Sequence, residues 1–183
     1  MLSTMGAVLP GSGIAGTKVY TTINGRFRFV IVLFSTEDGR PLAAIEGDEM
    51  TGLRTAAATA VAADYLALSS ATTLAVIGTG VQARAHLPAL CGVRQFSEIL
   101  IAGLEHQAQF AEEAQKLTGV PARAVSIDEA AAAADVLLTV TRAKTPLFSG
   151  ELLKDGALVA AIGASKPDVR ELDDRAIQRA AAI

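Results

Sequence analysis

The sequence predicts an α/β protein, a doubly wound parallel sheet preceded by a smaller α+β region, and three observations carry that expectation. From Thr72 onward, short buried-type apolar runs alternate with helical segments, the rhythm of a parallel sheet covered on both faces. The first of those runs, Leu74 to Ile77, stops on Gly78-Thr79-Gly80 and passes at once into an amphipathic stretch. Glycines so placed serve a sharp turn and the close approach of something to the backbone. Before Thr72 the pattern differs: strand-like segments joined by turn residues, then one long alanine-rich helix. The expected division is therefore residues 1–70, the smaller α+β region, and residues 71–183, the doubly wound domain.

In the first region, Thr17 to Thr22 and Arg26 to Ser35 read as strands, the second rich in Phe, Val and Ile. Thr36-Glu37-Asp38-Gly39-Arg40 is turn chemistry, and Pro41 to Glu46 returns as another strand. A helix is expected from about Thr51 to Leu68, favoured by its alanines and capped by Asp48 or Thr51. Its apolar face is read as Leu53, Ala57, Ala60 or Val61, and Leu68. In the second region, strands are expected at Leu74 to Ile77, Glu98 to Ala102, Pro121 to Val125, Asp135 to Thr141 and Ala157 to Ile162. Helices are expected at Val81 to Leu90 and Gln107 to Leu117, with a short one opened by the capping box Ser126-Ile127-Asp128-Glu129. The final Arg179-Ala180-Ala181-Ala182-Ile183 reads as the start of a further strand, as though the sequence were a fragment.

The bulk composition excludes several classes of function. With 16 basic and 19 acidic residues the net charge is −3, which provides no general field for nucleic acid or anionic lipid. Any anion must be held locally. Hydrophobic residues make up 51% of the chain but aromatics only 4%, so the core is built of small side chains rather than around an aromatic platform. Cys91 is the single cysteine, which rules out an intrachain disulfide and fits the reducing cytoplasm. The N-terminus lacks the basic start and apolar run of a signal peptide, and no apolar run approaches a membrane span.

The segment Gly78-Thr79-Gly80-Val81-Gln82-Ala83 follows a strand and opens a helix, the context that a dinucleotide fingerprint requires. In a Rossmann-type domain the first glycine permits the turn and the second admits the pyrophosphate to the backbone. Ala83 at the third small position lets the helix pack close to the strand. Free N–H groups and the helix dipole then favour a diphosphate. After the second strand, Glu105 sits a little late for the acidic residue that takes the ribose hydroxyls of NAD, and no arginine follows for the phosphate of NADP. NAD or NADP is expected, with NADH slightly favoured. Thr139 and Thr141, at the tip of the fourth strand, and Ser165, after the fifth, either edge the nicotinamide pocket or cap the strand ends.

The pairing of Thr51-Gly52-Leu53-Arg54-Thr55-Ala56-Ala57 with the Gly-Thr-Gly-Val-Gln-Ala turn downstream resembles the ornithine cyclodeaminase/mu-crystallin family, in its ketimine reductase-like branch. Pro146-Leu147-Phe148 and the stretch from Gly163 to Asp174 also fit, so the resemblance covers nearly the whole sequence. It implies that residues 1–70 are a partial substrate-binding and dimerisation region and residues 71–183 an NAD(P)-binding Rossmann domain incomplete at its C-terminal end, an N-terminal segment and a longer C-terminal segment of that family being absent. It implies a homodimeric NAD(P)-dependent enzyme that reduces imines of amino acids, oxidises alanine, or cyclises ornithine with loss of ammonia. The family's substrate lysine matches Lys18 and its carboxylate-binding arginine matches Arg54. Both suit a small imino- or amino-acid carboxylate, the arginine as a bidentate fork and the lysine as a point charge. Where the cyclodeaminase branch carries an aspartate, this sequence has Ser165, which removes the strong base that would activate an amine. The expected activity is therefore NAD(P)H-dependent reduction of a small cyclic 2-imino acid of the pyrroline-2-carboxylate type. A cyclodeaminase, an alanine dehydrogenase and a non-catalytic mu-crystallin-like binding protein remain the alternatives.

Overall fold

The computed structural model describes residues 1–24, 26–164 and 167–183, in two compact units, Met1–Leu53 and Arg54–Ile183. The first unit is a four-stranded antiparallel sheet in the order β1-β2-β3-β4, with β1 at Leu2–Leu9, β2 at Ile14–Ile23, β3 at Arg26–Ser35 and β4 at Pro41–Glu46. The β3–β4 turn forms where its residues demand it, with Gly39 at φ 72° and its N–H donating to the Ser35 carbonyl. β1 is an element that the sequence reading leaves out. Its Ser-Thr-Met-Gly-Ala stretch has little intrinsic strand preference, and it is held by pairing along its length with β2, from Leu2 opposite Thr21 to Leu9 opposite Ile14.

A helix, α1, spans Asp48–Leu66 and so starts before the expected Thr51. Asp48 accepts hydrogen bonds from the Phe29 N–H at 2.7 Å and from the Arg28 guanidinium, which fixes the helix start to β3. The buried face of α1 also corrects the sequence reading, except at Ala60. Ala56, Ala60, Ala63 and Ala67 are buried, while Leu53, Val61 and Leu68 are exposed. Alanines at helical spacing let the helix backbone approach its neighbours closely, and the larger apolar residues lie on the other face. The carbonyls of Ala63, Asp64 and Ala67 at the helix end are taken by the Arg94 guanidinium.

The second unit carries a five-stranded parallel sheet in the order β7-β6-β5-β8-β9. These strands are β5 Thr73–Ile77, β6 Glu98–Ala102, β7 Ala122–Ala124, β8 Val136–Thr139 and β9 Leu158–Ala161. Helices α2 (Val81–Val93), α3 (Gln107–Thr118), α4 (Ile127–Ala133) and α5 (Asp174–Arg179) complete it. Alternate strand residues feed two cores, as the pleat requires. Leu74, Val76, Ile99, Ile101, Val136 and Leu138 pack with Leu87 of α2 and Phe110 of α3. Ala75, Ile77, Leu100 and Leu137 pack on the other face with Ala130 and Ala131 of α4. The expected doubly wound α/β fold is what forms. The capping box holds too, the Ser126 hydroxyl accepting from the Glu129 N–H at 3.1 Å. The final residues do not begin a strand: Arg179 ends α5, and 180–183 form no strand. The segment is helical because Asp173 caps it, accepting from the Ala176 N–H.

Candidate functional site

β5 and β8 are neighbours, while the chain between them runs out through β6 and β7. The sheet therefore reverses direction between β5 and β8, and ligands of such sheets bind in the crevice at the carboxyl ends of the strands there. The glycine turn sits at that point. Gly78 has φ 118°, and a Cβ on it would lie 2.8 Å from the Val140 carbonyl oxygen. Glycine is required there by conformation and by room. Gly80 is the opposite case: a Cβ would meet nothing within 4 Å, so the space above it is open to a ligand. Gly80 is also the N-cap of α2, which has no side-chain cap and no acidic residue in its first turn. Helices α1, α4 and α5 carry acidic residues there, while α3 shares the uncapped, acid-free start. The first N–H groups of α2 are thus left for an anion, with the dipole favouring it. Ala83 is fully buried against the sheet, as the third small position demands. These residues fit a dinucleotide pyrophosphate.

Arg84 fixes this turn. Its guanidinium donates to both carboxylate oxygens of Glu113 at 2.7 Å and to the Thr79 carbonyl at 2.7 Å. It also lies over the Phe110 ring. The bond from Arg84 holds the Glu113 carboxyl below its ordinary range. Arg123 pairs with Glu129 and Glu98. The loop after β6 reaches the same turn: the Thr79 hydroxyl donates to the Glu105 carbonyl at 3.5 Å, and Gly103 leaves the Thr79 methyl in contact range. The Glu105 side chain is exposed, with His106 beside it. Val81 is exposed and Gln82 half-buried on the first turn of α2.

Beneath this turn is a group the sequence reading passed over. His86 is fully buried on α2, its Nδ1–H donating to the Gln82 carbonyl at 2.8 Å and its Nε2 meeting the Thr59 hydroxyl at 3.0 Å. Burial pushes its pKa down, partly offset by the Gln82 carbonyl. The unfolded chain therefore protonates first as pH falls. The stabilisation from a neutral His86 is present above about 6.5 and is lost on acidification towards its folded pKa. A His86→Gln variant is expected to differ from wild type less at about pH 5 than at about pH 7.5, measured by urea midpoints. An undiminished difference in acid would show that the ring is not buried neutral.

On the other side of the crevice, β8 ends at Thr139 rather than at the expected Thr141, because the Thr141 N–H turns away to the Glu171 carboxylate at 2.6 Å. Glu171 is 1% exposed and also accepts from the Thr139 hydroxyl at 2.9 Å, the Thr141 hydroxyl at 2.7 Å and the Gly163 N–H at 2.8 Å. No local signal marks it, since a single glutamate in a polar stretch ordinarily faces water. Both threonine hydroxyls are spent on this carboxylate. Ser165 lies outside the described residues.

The two residues matched to substrate binding stand in different units. Lys18, half-buried on β2, lies between Met5 of β1 and Ile31 of β3, its Nζ 5.4 Å from the Phe29 ring centroid and 5.6 Å from that of Tyr20. Arg54 is exposed on α1. Because α1 begins at Asp48, Arg54 lies beyond its first turn, where the helix dipole hardly opposes a cation. Among the described residues no group of His, Cys, Asp and Glu could hold a metal ion, and no helix is long and apolar enough to cross a membrane.

The whole chain matches known proteins. A Bacillus cereus Delta(1)-pyrroline-2-carboxylate reductase is 38% identical over 176 residues, covering 94% of this chain and 52% of that protein. A probable ornithine cyclodeaminase from Bordetella pertussis Tohama I superimposes with a TM-score of 0.94 at 47% identity, covering 98% of this chain and 58% of that one. A Thermococcus litoralis Delta(1)-pyrroline-2-carboxylate reductase, solved with NADH and L-proline, gives a TM-score of 0.86 at 32% identity over 92% of this chain and 55% of that one. The chain thus spans about half the length of the curated relatives it matches. With the family profile matched over residues 1–183, this chain belongs to the Ornithine cyclodeaminase/mu-crystallin family.

Proposed function

We propose that the protein containing this chain is an NAD(P)H-dependent reductase of small cyclic 2-imino acids, of the pyrroline-2-carboxylate type. The observation that carries the coenzyme half is the uncapped α2 N-terminus behind an open Gly80 at the sheet's reversal point. Relatives named for pyrroline-2-carboxylate reduction support the substrate half. The coenzyme, when bound, would supply the hydride. The first N–H groups of α2 would hold its pyrophosphate, with Thr79, Val81, Gln82 and Ala83 shaping the turn. Arg54 and Lys18 would orient the substrate carboxylate, so that reaction geometry rather than acid–base chemistry provides much of the acceleration. Ser165 would edge the pocket without acting as a base. The Bordetella relative favours a second reading, ornithine cyclodeamination, which the serine at position 165 opposes.

Glu105 near the ribose supports NADH, as does the engagement of Arg84 and Arg123 with carboxylates. Their guanidinium groups are not left to a 2′-phosphate. Specificity constants for pyrroline-2-carboxylate reduction should be at least as high with NADH as with NADPH. A strong NADPH preference would mean that one of those arginines changes partner. A homodimer is part of the same proposal, supported by exposed apolar residues of the first unit, among them Leu2, Met5, Val8 and Leu9. So is a cytoplasmic location, on the lone cysteine.

A further inference from the structure

We propose that Glu171 is a positioning residue that shapes the nicotinamide end of the coenzyme crevice and biases it towards the oxidised, positively charged ring. The inference rests on the coenzyme reading above. Glu171 extends the β8–β9 pairing beyond its last sheet bond, from the Ile162 N–H to the Thr139 carbonyl, by joining Thr139 at the end of β8, Thr141 beyond it, and Gly163 beyond β9. Between the two threonines lies Val140, whose carbonyl is the one that excludes a side chain from Gly78. The carboxylate therefore braces the wall opposite the fingerprint turn. Gly163 is pressed into the brace, since a Cβ there would lie 2.1 Å from the Thr141 carbonyl oxygen and 2.6 Å from Glu171 Oε1.

Direction along the crevice follows from the topology. The loop with Glu105 follows β6, on one side of the turn, which is the adenosine side in a fold built of two mononucleotide-binding halves. β8 and β9 lie on the other side, the nicotinamide side. The donors to Glu171 are two hydroxyls and two backbone N–H groups, which fill both oxygens as an ionised carboxylate requires. None of the ion pairs among the described residues includes it. Neutral donors spread the charge without cancelling it, and in a buried setting its field reaches the neighbouring pocket with little screening. A cationic ring is favoured there over a neutral one.

The test is the ratio of dissociation constants, NAD+ over NADH, measured by calorimetry on the full-length protein. Glu171→Gln removes the charge and should raise the ratio about threefold or more. Thr139→Val has the same shape, keeps the carboxylate and deletes one donor, so it should lower the ratio. Thr139 is fully buried, and this variant decides alone if Glu171→Gln does not fold. A ratio unchanged in the folded variants, or moved the same way by both, would overturn the proposal and leave Glu171 a plain structural strap. Wild-type protein that binds neither dinucleotide would instead bring down the coenzyme reading itself, before any variant is made.

Discussion

Gly78→Ala is expected to destabilise the second unit by roughly 2–4 kcal/mol, while Gly80→Val leaves stability within about 1 kcal/mol and weakens dinucleotide binding sharply. The two glycines stand two residues apart and are needed for different reasons. At Gly78 the backbone has φ 118°, and an added Cβ would be 2.8 Å from the Val140 carbonyl oxygen. That oxygen belongs to sheet-bonded backbone, the Val140 N–H donating to Ile77, so it cannot swing aside as a side-chain tip would. Strain and clash therefore add. At Gly80, φ is −86° and nothing lies within 4 Å of the added carbon, so valine is tolerated by the free protein at the loss of a good N-cap residue. Its branches would occupy the space through which a pyrophosphate reaches the α2 N–H groups. Affinity should fall roughly 100-fold, about 2.7 kcal/mol. Urea midpoints and a titration of coenzyme fluorescence read the two effects separately. Unchanged affinity in folded Gly80→Val would remove the fingerprint from the argument for a coenzyme site.

Arg54→Ala in the full-length protein should reduce kcat/KM for imine reduction by roughly 2–5 kcal/mol of transition-state binding, about 30- to 5,000-fold. The reason is the charge left without its partner: an imino-acid carboxylate drawn out of water loses a bidentate cation. Arg54 is exposed on α1, and its replacement by alanine, the best helix former, does not weaken the helix. Loss of activity with an unchanged urea midpoint is thus the expected pair of results. Ser165→Ala should reduce imine reduction only modestly, because no side-chain base is required in that direction. If Arg54→Ala were fully active, the carboxylate would have to be held elsewhere.

Local signals made much of the fold legible. β3 and β6 have the expected bounds because each is a run rich in β-branched or aromatic residues, β4 because turn residues and Gly47 bracket it, and the glycine turn announces its own strand and helix. Long-range pairing was not legible. β1 exists through its register with β2, and no property of Leu2 to Leu9 read alone requires it. Likewise the face read for α1, Leu53, Ala57, Ala60 or Val61, and Leu68, is buried only at Ala60. Packing selected the alanine stripe instead, where Ala56, Ala60 and Ala63 permit close approach. The candidate site divided in the same manner. Gly78, Gly80 and Ala83 are a contiguous motif whose chemistry is local. Glu171 and His86 gain their meaning from Thr139, Gly163 and Thr59, residues distant in sequence, and a single sequence carries no mark of such meetings.

The most direct measurement compares two reactions of the full-length protein in one preparation: NADH consumption with pyrroline-2-carboxylate, and ammonia release from ornithine. Reduction of the imine to proline, with ammonia at background, is the expected result, since position 165 offers a hydroxyl where a carboxylate would be needed to activate the amine. Ammonia release at a rate comparable to imine reduction would contradict the reductase assignment and require another residue to serve as the base.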